Sequence, residues 1–411
     1  MILRLLAAAA LATACAAAAQ EPAEEKQRDD GREEEAAVKP STAGLPDRPV
    51  MLRVGGSHTW ESNIFRSPQA QAERIGVAYV GVNVDKAYAQ QRFRLDATQT
   101  AYRYENFPHL DFNGLNYLGA WDWHLGPRIG GTLRAAREQG LADYSEFRNP
   151  AQKNVRTTES FALGADASLF GGWHLMGALN DVRNGYSVPF PQEGSYRASG
   201  GEAGIKWEAP AANWAAFTLR SLDGRYVDRA LDPVARLDDG FRRREAEAAV
   251  WWRITGKSTL EGRVAQVDYR SDHFAERDFS GIAARLRCLW EATANLALNV
   301  QLARAIEPWA DAGASYRVVQ GVSVGPVWQL GARTALRLEL IRAESEFRGP
   351  LPGFTGAERR DVERSVRLEA EWRALRNLSL KAGAQQYRQS SNDPAANFRG
   401  TQLTVAVSLL M

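Results

Sequence analysis

Alternation of apolar and polar residues over positions 281–304 constrains the fold more than any other feature of the sequence. Every second residue from Ile282 to Trp290 is apolar, whereas the positions between them include Arg285 and Arg287. After a short break at 292–295 the same alternation resumes. This period of two is that of a β-strand with one apolar face, so the segment predicts two strands joined by a tight turn.

The length of these runs indicates which kind of sheet they form. Strands of soluble proteins cover about 5–6 residues, whereas a tilted strand needs about 9–11 residues to cross a bilayer. Similar long runs recur along the chain from Met51 onward. The pattern favours a membrane barrel over the alternative, a large soluble β-sandwich.

Composition agrees with a strand-built membrane protein. The chain has 411 residues, of which 45% are hydrophobic and 24% charged, and its formal net charge is +2. Its mean hydropathy is −0.39. Beyond the first twenty residues no apolar run reaches the ~18 residues of a membrane helix. A barrel tolerates such a polar average because only alternate residues face lipid. The basic residues form no concentrated patch, so we expect no nucleic-acid partner.

Residues 1–19 read as a secretory signal peptide, with one positive charge, a short apolar core and small residues at its end. Cleavage after Ala19 fits the rule for ordinary signal peptidase. Cys15 follows an imperfect lipidation motif and is the alternative, less favoured cleavage site. Because Cys288 is the other cysteine, a processed chain forms no internal disulfide.

Residues 20–49 are rich in Glu, Asp, Lys, Arg and Pro and nearly lack large apolar side chains. Such a segment cannot bury enough surface to offset the entropy of ordering. We predict a disordered acidic linker in the periplasm, followed by an outer-membrane β-barrel over residues 50–411.

Connections within 50–411 alternate in length. Tight turns are predicted near 85–87, 126–127, 171–172, 210–213, 256–257, 293–295, 330–332 and 376–377. Longer loops are predicted near 61–72, 105–109, 143–154, 188–194, 227–238, 271–276, 348–359 and 391–396, with a short one near Pro308. Short turns on one side and long loops on the other are typical of outer-membrane barrels. Counting the runs between them predicts an all-β, up-and-down antiparallel transmembrane barrel of about 18 strands, within a range of 16 to 18.

Aromatic residues are sorted between the two sets of connections, which predicts a girdle at each membrane interface. Ten tryptophans lie near tight turns: Trp121, Trp123, Trp173, Trp207, Trp214, Trp251, Trp252, Trp290, Trp328 and Trp372. Most tyrosines lie near long loops, among them Tyr102, Tyr104, Tyr144, Tyr186, Tyr196, Tyr226, Tyr269 and Tyr387.

Charged residues that alternate with the apolar face are the candidate substrate path, because a barrel of 16–18 strands encloses an aqueous channel. These lumen candidates are Arg92, Arg94, Asp96, Arg285, Arg287, Glu291, Arg337, Glu339, Arg367, Glu369, Glu371 and Arg373. Arginine can bind carboxylates of a hydrated anionic polymer while neighbouring acids keep that binding weak. Alternatively, these charges pair with one another and only rigidify the wall.

Catalytic and metal motifs receive little support. Gly321-Val-Ser323-Val-Gly325 matches G-x-S-x-G, but that motif functions at a strand-to-helix turn and here it lies within an alternating strand. The five histidines are scattered and show no metal-ligand spacing. We expect no enzyme activity, no catalytic residue, no metal and no cofactor.

Residues 54–66 resemble the opening of the EpsL-type outer-membrane proteins of exosortase-associated exopolysaccharide operons. The resemblance rests on a glycine-bearing strand followed by Glu61-Ser-Asn63-Ile64-Phe-Arg66, with Ile64 in place of the usual Leu. Similar strands at 91–104, 113–124 and 161–181 extend the resemblance over residues 50–411. The acidic linker departs from the family pattern.

This resemblance implies a conduit or accessory channel for exopolysaccharide export. The partners it implies are the extracellular polysaccharide and periplasmic polysaccharide-export proteins. For the predicted barrel itself we also expect contact with outer-membrane lipids and lipopolysaccharide. The alternatives are a general diffusion porin, an outer-membrane hydrolase, and a structural barrel without an open pore.

Overall fold

The computed structural model describes residues 49–411 except Pro191. The predicted signal peptide 1–19, Cys15, and residues 20–48 of the predicted linker lie outside the described residues. Among residues 49–411, no helix is long and apolar enough to span a bilayer.

Eighteen strands make up the described chain, each 12–16 residues long. They are β1 Val50–Glu61, β2 Glu73–Tyr88, β3 Gln91–Tyr104, β4 Phe112–Leu125, β5 Ile129–Leu141, β6 Val155–Ser168, β7 Trp173–Tyr186, β8 Tyr196–Glu208, β9 Trp214–Tyr226, β10 Gly240–Thr255, β11 Ser258–Ser271, β12 Phe279–Thr293, β13 Leu296–Pro308, β14 Tyr316–Gln329, β15 Thr334–Arg348, β16 Arg360–Arg373, β17 Leu378–Ser391 and β18 Phe398–Leu410. One short helix, α1 (Tyr144–Phe147), and three 3₁₀ turns (Pro108–Leu110, Ala275–Arg277 and Pro394–Ala396) lie in the loops.

Each strand pairs antiparallel with its sequence neighbours, and β1 pairs with β18 to close the ring. The closing ladder runs from Arg53 opposite Leu410 to Glu61 opposite Gln402. Closure leaves no free edge among the eighteen described strands, which is how a strand-built protein satisfies its backbone groups in lipid. The predicted all-β barrel of about 18 strands is therefore confirmed.

The connections follow the predicted alternation in length. We call the side with short turns, where β1 begins and β18 ends, the turn end, and the opposite side the loop end. One predicted turn was misplaced: β2 continues through 85–87 and reverses at Ala89 and Gln90. Asp85 is part of the β2–β3 ladder, opposite Arg94. The sequence predicts a turn at these charged residues, whereas strand pairing extends through them.

Alternation sorts side chains between the outside and the lumen. Val80, Val264 and Val405 face outward and are more than half exposed, as expected of a surface that lipid covers. Their sequence neighbours face inward. Cys288 lies on the outward face of β12, between Leu286 and Trp290 in the alternation.

The wall is irregular between β12 and β13. Their ladder stops at Ala284 opposite Arg304, although β13 continues to Pro308. Beyond that point Ile306 belongs to the same buried cluster as Phe279, which is on the inward face of β12. The loop ends of β13 and β14 therefore bend into the lumen and cover the inner face of β12.

Candidate functional site

The lumen is the candidate site, and its wall carries the charged residues predicted from sequence. All twelve lumen candidates lie on the inward face, since each alternates with outward residues: Arg92, Arg94 and Asp96 on β3; Arg285, Arg287 and Glu291 on β12; Arg337 and Glu339 on β15; and Arg367, Glu369, Glu371 and Arg373 on β16. Their role as a substrate path remains a prediction.

Strands β15–β17 carry a linked charge network on the lumen wall. The Nη1 atom of Arg337 lies 2.8 Å from Glu369 Oε1 and 3.0 Å from Glu371 Oε2. On the loop-end side of this group, Arg367 lies 3.4 Å from Glu339. These acids and arginines neutralise one another, as the alternative interpretation of the lumen charges requires.

A second paired group lies on β1–β4. Arg92 donates two hydrogen bonds to Asp85, of 2.8 and 2.6 Å, and Arg94 lies 2.9 Å from Asp122. Asp96 accepts a hydrogen bond of 3.0 Å from Arg53. Apart from Arg53, all of these side chains line one large cavity in the lumen.

The wall of β11 and β12 has a larger excess of arginine over acidic residues than the two groups described above. Arg263 lies directly opposite Arg285, and Arg287 lies opposite Glu261. Glu261 is also 3.6 Å from Arg263. At these four positions, three guanidinium groups and one carboxylate thus share a small area of the wall. We call Arg263, Arg285 and Arg287 the arginine patch.

A cavity of about 810 Å³ occupies the lumen alongside β2–β11. Its lining mixes both charge signs with apolar groups and includes Trp214 and Trp251, which are opposite one another on β9 and β10. Both tryptophans were predicted to belong to the girdle at the turn end, and the structure shows that they face the lumen instead. The indole N–H of Trp214 is buried and has no hydrogen-bond partner within the described chain.

At the loop end, loop 142–154 reaches across the lumen. Glu146 of α1 pairs with Arg359 through two hydrogen bonds of 3.0 and 3.1 Å. Arg359 precedes β16, and ten strands, β6–β15, lie between the two loops on one side of the ring and eight, β16–β18 and β1–β5, on the other. The two partners therefore come from nearly opposite walls. Arg148 extends the crossing to Asp393, before β18, at 3.1 Å.

Loop 187–195 makes a second crossing. The ring of Phe190 packs edge-on against Phe147 of α1 and against Trp309, which follows β13. Glu193 of the same loop accepts a hydrogen bond from the Tyr186 hydroxyl and lies 3.9 Å from Arg317 of β14. Loops from four parts of the ring thus meet over the lumen. We call this assembly the loop-end constriction.

Aromatic side chains fill the space beneath the constriction, and this corrects the predicted tyrosine girdle. The tyrosines at the strands' loop ends face the lumen, not the lipid. Tyr226, Phe241, Tyr269, Phe279 and Tyr316 form a chain of rings with successive centroids 5.5, 5.1, 4.7 and 5.0 Å apart. On the opposite wall Tyr387 donates a hydrogen bond of 2.7 Å to Glu61.

A smaller cavity of about 360 Å³ lies within the constriction, with a lining rich in ionisable groups. Burial raises the pKa of the Glu193 carboxyl, and the positive charge of Arg317 opposes that shift. Burial alone would lower the pKa of Arg359, but the carboxylates of Glu146 and Asp361 raise it above its ordinary value. Arg359 is therefore positively charged at neutral pH.

Asp238, Asp239 and His273 place carboxylate and imidazole atoms within 4.8 Å of one another in the loops beyond β9 and β11. Asp238 accepts N–H hydrogen bonds from the backbone of Asp239, Gly240, His273 and Phe274 and from the His273 ring. Because these donors occupy the carboxylate, the group is a structural link between two loops.

This link predicts a measurable pH dependence. The hydrogen bond to Asp238 raises the pKa of His273 above its ordinary 6.5. Burial would raise the pKa of Asp238, but its N–H donors lower it below 3.8. The contact is therefore strongest above the ordinary pKa of Asp238, and it weakens as pH rises through the raised pKa of His273. An NMR titration of the His273 ring should show a midpoint above 6.5 that falls in the Asp238→Asn variant; a midpoint at or below 6.5 in the parent contradicts the assignment.

Ser323 of the G-x-S-x-G string lies within β14, opposite Gln301 and Ile341. That position is the middle of a continuous strand, not the strand-to-helix turn on which the motif depends. His174 on β7 is hydrogen-bonded to Asp166 at 2.7 Å, and His124 to the backbone of Gln90 at 3.0 Å. These histidines have structural partners on the barrel wall.

Comparison with known proteins agrees with this architecture. A family model described as "Putative beta-barrel porin 2" matches residues 220–410, which include β10–β18 and most of β9. The chain has a porin-type β-barrel fold. Among curated proteins, none matches the sequence.

Two solved structures from Pseudomonas aeruginosa illustrate the likeness. OccK2 (OpdF), solved in complex with glucuronate, is 12% identical with a TM-score of 0.50, and the match covers 89% of this chain and 98% of that one. The outer membrane protein opdK is 13% identical with a TM-score of 0.47, over 88% of this chain and 99% of that one. At this identity the likeness to OccK2 establishes the shared fold alone.

Proposed function

We propose that this chain is a passive outer-membrane channel for small hydrophilic solutes. The observation that carries the proposal is a charged lumen whose loop end is crossed by bridged loops. The larger cavity, about 810 Å³, is within the range of about 300–1,000 Å³ of small-molecule sites. Short turns then face the periplasm and the constriction faces the exterior, as in other barrels of this kind.

Carboxylate-bearing solutes are the class that we expect the lumen to favour. Arginine binds carboxylates through two parallel hydrogen bonds, and the arginine patch concentrates three such side chains on β11 and β12. The structure of similar fold that contains glucuronate supports this choice by analogy. Glu261 within the same area keeps binding weak enough for release.

Export of an exopolysaccharide is the second candidate, and it rests on the EpsL-type resemblance of residues 54–66. A polymer strand would have to pass where Glu146 and Arg359 now bridge opposite walls. This function therefore requires the constriction to open, whereas diffusion of small solutes requires only gaps between the loops. The two candidates consequently differ in the size of solute that passes.

Planar-bilayer recordings on the refolded protein test the proposal. We expect small conductance steps that glucuronate blocks reversibly, and we expect the R285Q/R287Q variant to lose this block because it retains one of three guanidinium groups. The R197Q/R242Q variant makes the same change in charge on the outward face and should be blocked like the parent.

Other outcomes decide between the candidates. Large steps that only the host's exopolysaccharide blocks would replace the small-solute proposal with polymer export. Conductance steps that no carboxylate blocks would support a general porin and contradict the proposed selectivity for carboxylate-bearing solutes. A refolded barrel that never conducts would leave the structural barrel and the outer-membrane hydrolase as the remaining candidates.

A further inference from the structure

Four arginines form a row on the outer surface of the barrel. Strand pairing places Arg342 of β15 opposite Arg364 of β16, Arg364 opposite Arg388 of β17, and Arg388 opposite Arg399 of β18. All four alternate with lumen-facing residues and therefore face outward. We call this set the arginine row.

Among the described residues the arginine row has no carboxylate partner, in contrast to the charges around it. Within residues 49–411, none of the four forms an ion pair, and the Nε atom of Arg342 is buried without a hydrogen-bond partner. The nearby acids Glu344 and Glu346 are engaged by Arg360. Like charges directly opposite one another on neighbouring strands are destabilising, so the row incurs an electrostatic cost that an anion would relieve.

The position of the row relative to the apolar surface identifies the kind of anion. Leu340, Val366 and Leu403 are exposed outward residues on the turn-end side of Arg342, Arg364 and Arg399. Since the row lies directly above this apolar band, it falls at the level where lipid headgroups begin on the loop-end leaflet. A ligand that fits both surfaces has an anionic headgroup and apolar chains.

The width of the row favours a headgroup with more than one phosphate. Neighbouring strands are about 4.8 Å apart, so four strands spread the guanidinium groups over roughly 14 Å. Planar guanidinium groups bind phosphate oxygens in pairs, and lysine does not reproduce that geometry. We propose that the arginine row binds the bisphosphorylated headgroup of lipid A, in the outer leaflet of the outer membrane. This site is separate from the lumen and does not depend on whether the channel conducts.

Outward charges on the opposite wall provide a matched control. Arg197, Arg242 and Arg270 also face outward near the loop end, but they pair with Asp181, Asp223 and Asp268 at 3.0, 2.6 and 2.8 Å. Because these arginines are already neutralised, we expect them to contribute little to lipid binding.

Native mass spectrometry of the detergent-solubilised full chain tests the site with bisphosphorylated lipid A as the probe. We expect the parent to retain lipid A, and the R342Q/R364Q/R388Q/R399Q variant to bind it roughly tenfold or more weakly, since several charge-assisted hydrogen bonds are lost. The R197Q/R242Q/R270Q variant should bind like the parent. If the fourfold variant does not fold, as judged by heat-dependent gel mobility, the central R364Q/R388Q pair decides the question.

Three results would overturn the proposal. If dephosphorylated lipid A bound as tightly as bisphosphorylated lipid A, the headgroup phosphates would not be recognised by the row. Inorganic phosphate that binds the row as well as lipid A does would assign the site to a free anion. Equal losses in the arginine-row and control variants would reduce the effect to overall charge.

Discussion

Replacing residues 144–152 with a short Gly/Ser linker should raise the single-channel conductance of the refolded barrel severalfold. This change removes α1 and with it the Glu146–Arg359 bridge and the packing of Phe147 on Phe190. Because an 18-stranded ring encloses an aqueous channel when no element fills it, removal of the crossing loop widens the narrowest region. Planar-bilayer recordings and liposome swelling with sugars of increasing size measure the change.

Another loop at the loop end, one that does not cross the lumen, serves as the control. Replacing residues 231–234, a segment that includes the almost fully exposed Val234, should leave conductance unchanged. The point variant Glu146→Gln should give an intermediate result, since it removes one charge of the bridge and retains the packing. Conductance that stays at the parent value after the 144–152 replacement would show that loop 142–154 does not set the limiting width.

Much of the barrel was predictable because its determinants are local. A period of two over 10 or more residues directly indicates a bilayer-spanning strand. Turn residues such as Gly171 and Gly172, which both have positive φ, indicate where the chain reverses. The misplaced turn at 85–87 shows where this logic fails. Charged residues that continue a ladder near a reversal cannot be distinguished from loop by composition alone.

The facing of the aromatic residues could have been predicted in part. Tyr269 has the same parity as Arg263 on β11, and Trp251 has the parity of Glu245 on β10, so alternation itself places both in the lumen. Sorting by distance from turns ignored that parity and produced the incorrect tyrosine girdle. Parity along a strand is therefore a stronger guide to facing than proximity to a turn.

Other features depend on contacts that no local pattern encodes. Glu146 and Arg359 are 213 positions apart, and their pairing depends on the inward path of two loops. The arginine row likewise becomes visible only when the register of β15–β18 is known, because its members are spread over 58 positions of sequence from 342 to 399. Both features therefore depend on contacts between segments that are distant in sequence.

Arg317→Gln should destabilise the barrel by about 3–5 kcal/mol, the cost of breaking a buried ion pair. The Nε atom of Arg317 lies 2.7 Å from Glu307, its Nη2 atom 3.9 Å from Glu193, and its side chain is 8% exposed. Removing the guanidinium takes the ion-pair partner away from Glu307 and leaves Arg156 as the cation near Glu193. Urea unfolding in lipid vesicles, followed by tryptophan fluorescence, measures the loss.

The loss should also depend on pH in a defined direction. Burial raises the pKa of Glu193 above its ordinary 4.5, and removal of Arg317 takes away a group that opposes this shift. A raised pKa in the folded state gives stability that is complete below the ordinary pKa and lost as pH rises through the raised one. Arg317→Gln should therefore lose more stability at pH 8 than at pH 5. Arg197→Gln, which removes an exposed pair, should cost no more than about 1 kcal/mol at either pH. Equal stability of Arg317→Gln and the parent at pH 8 would mean that Arg317 does not hold loop 187–195 against β13 and β14.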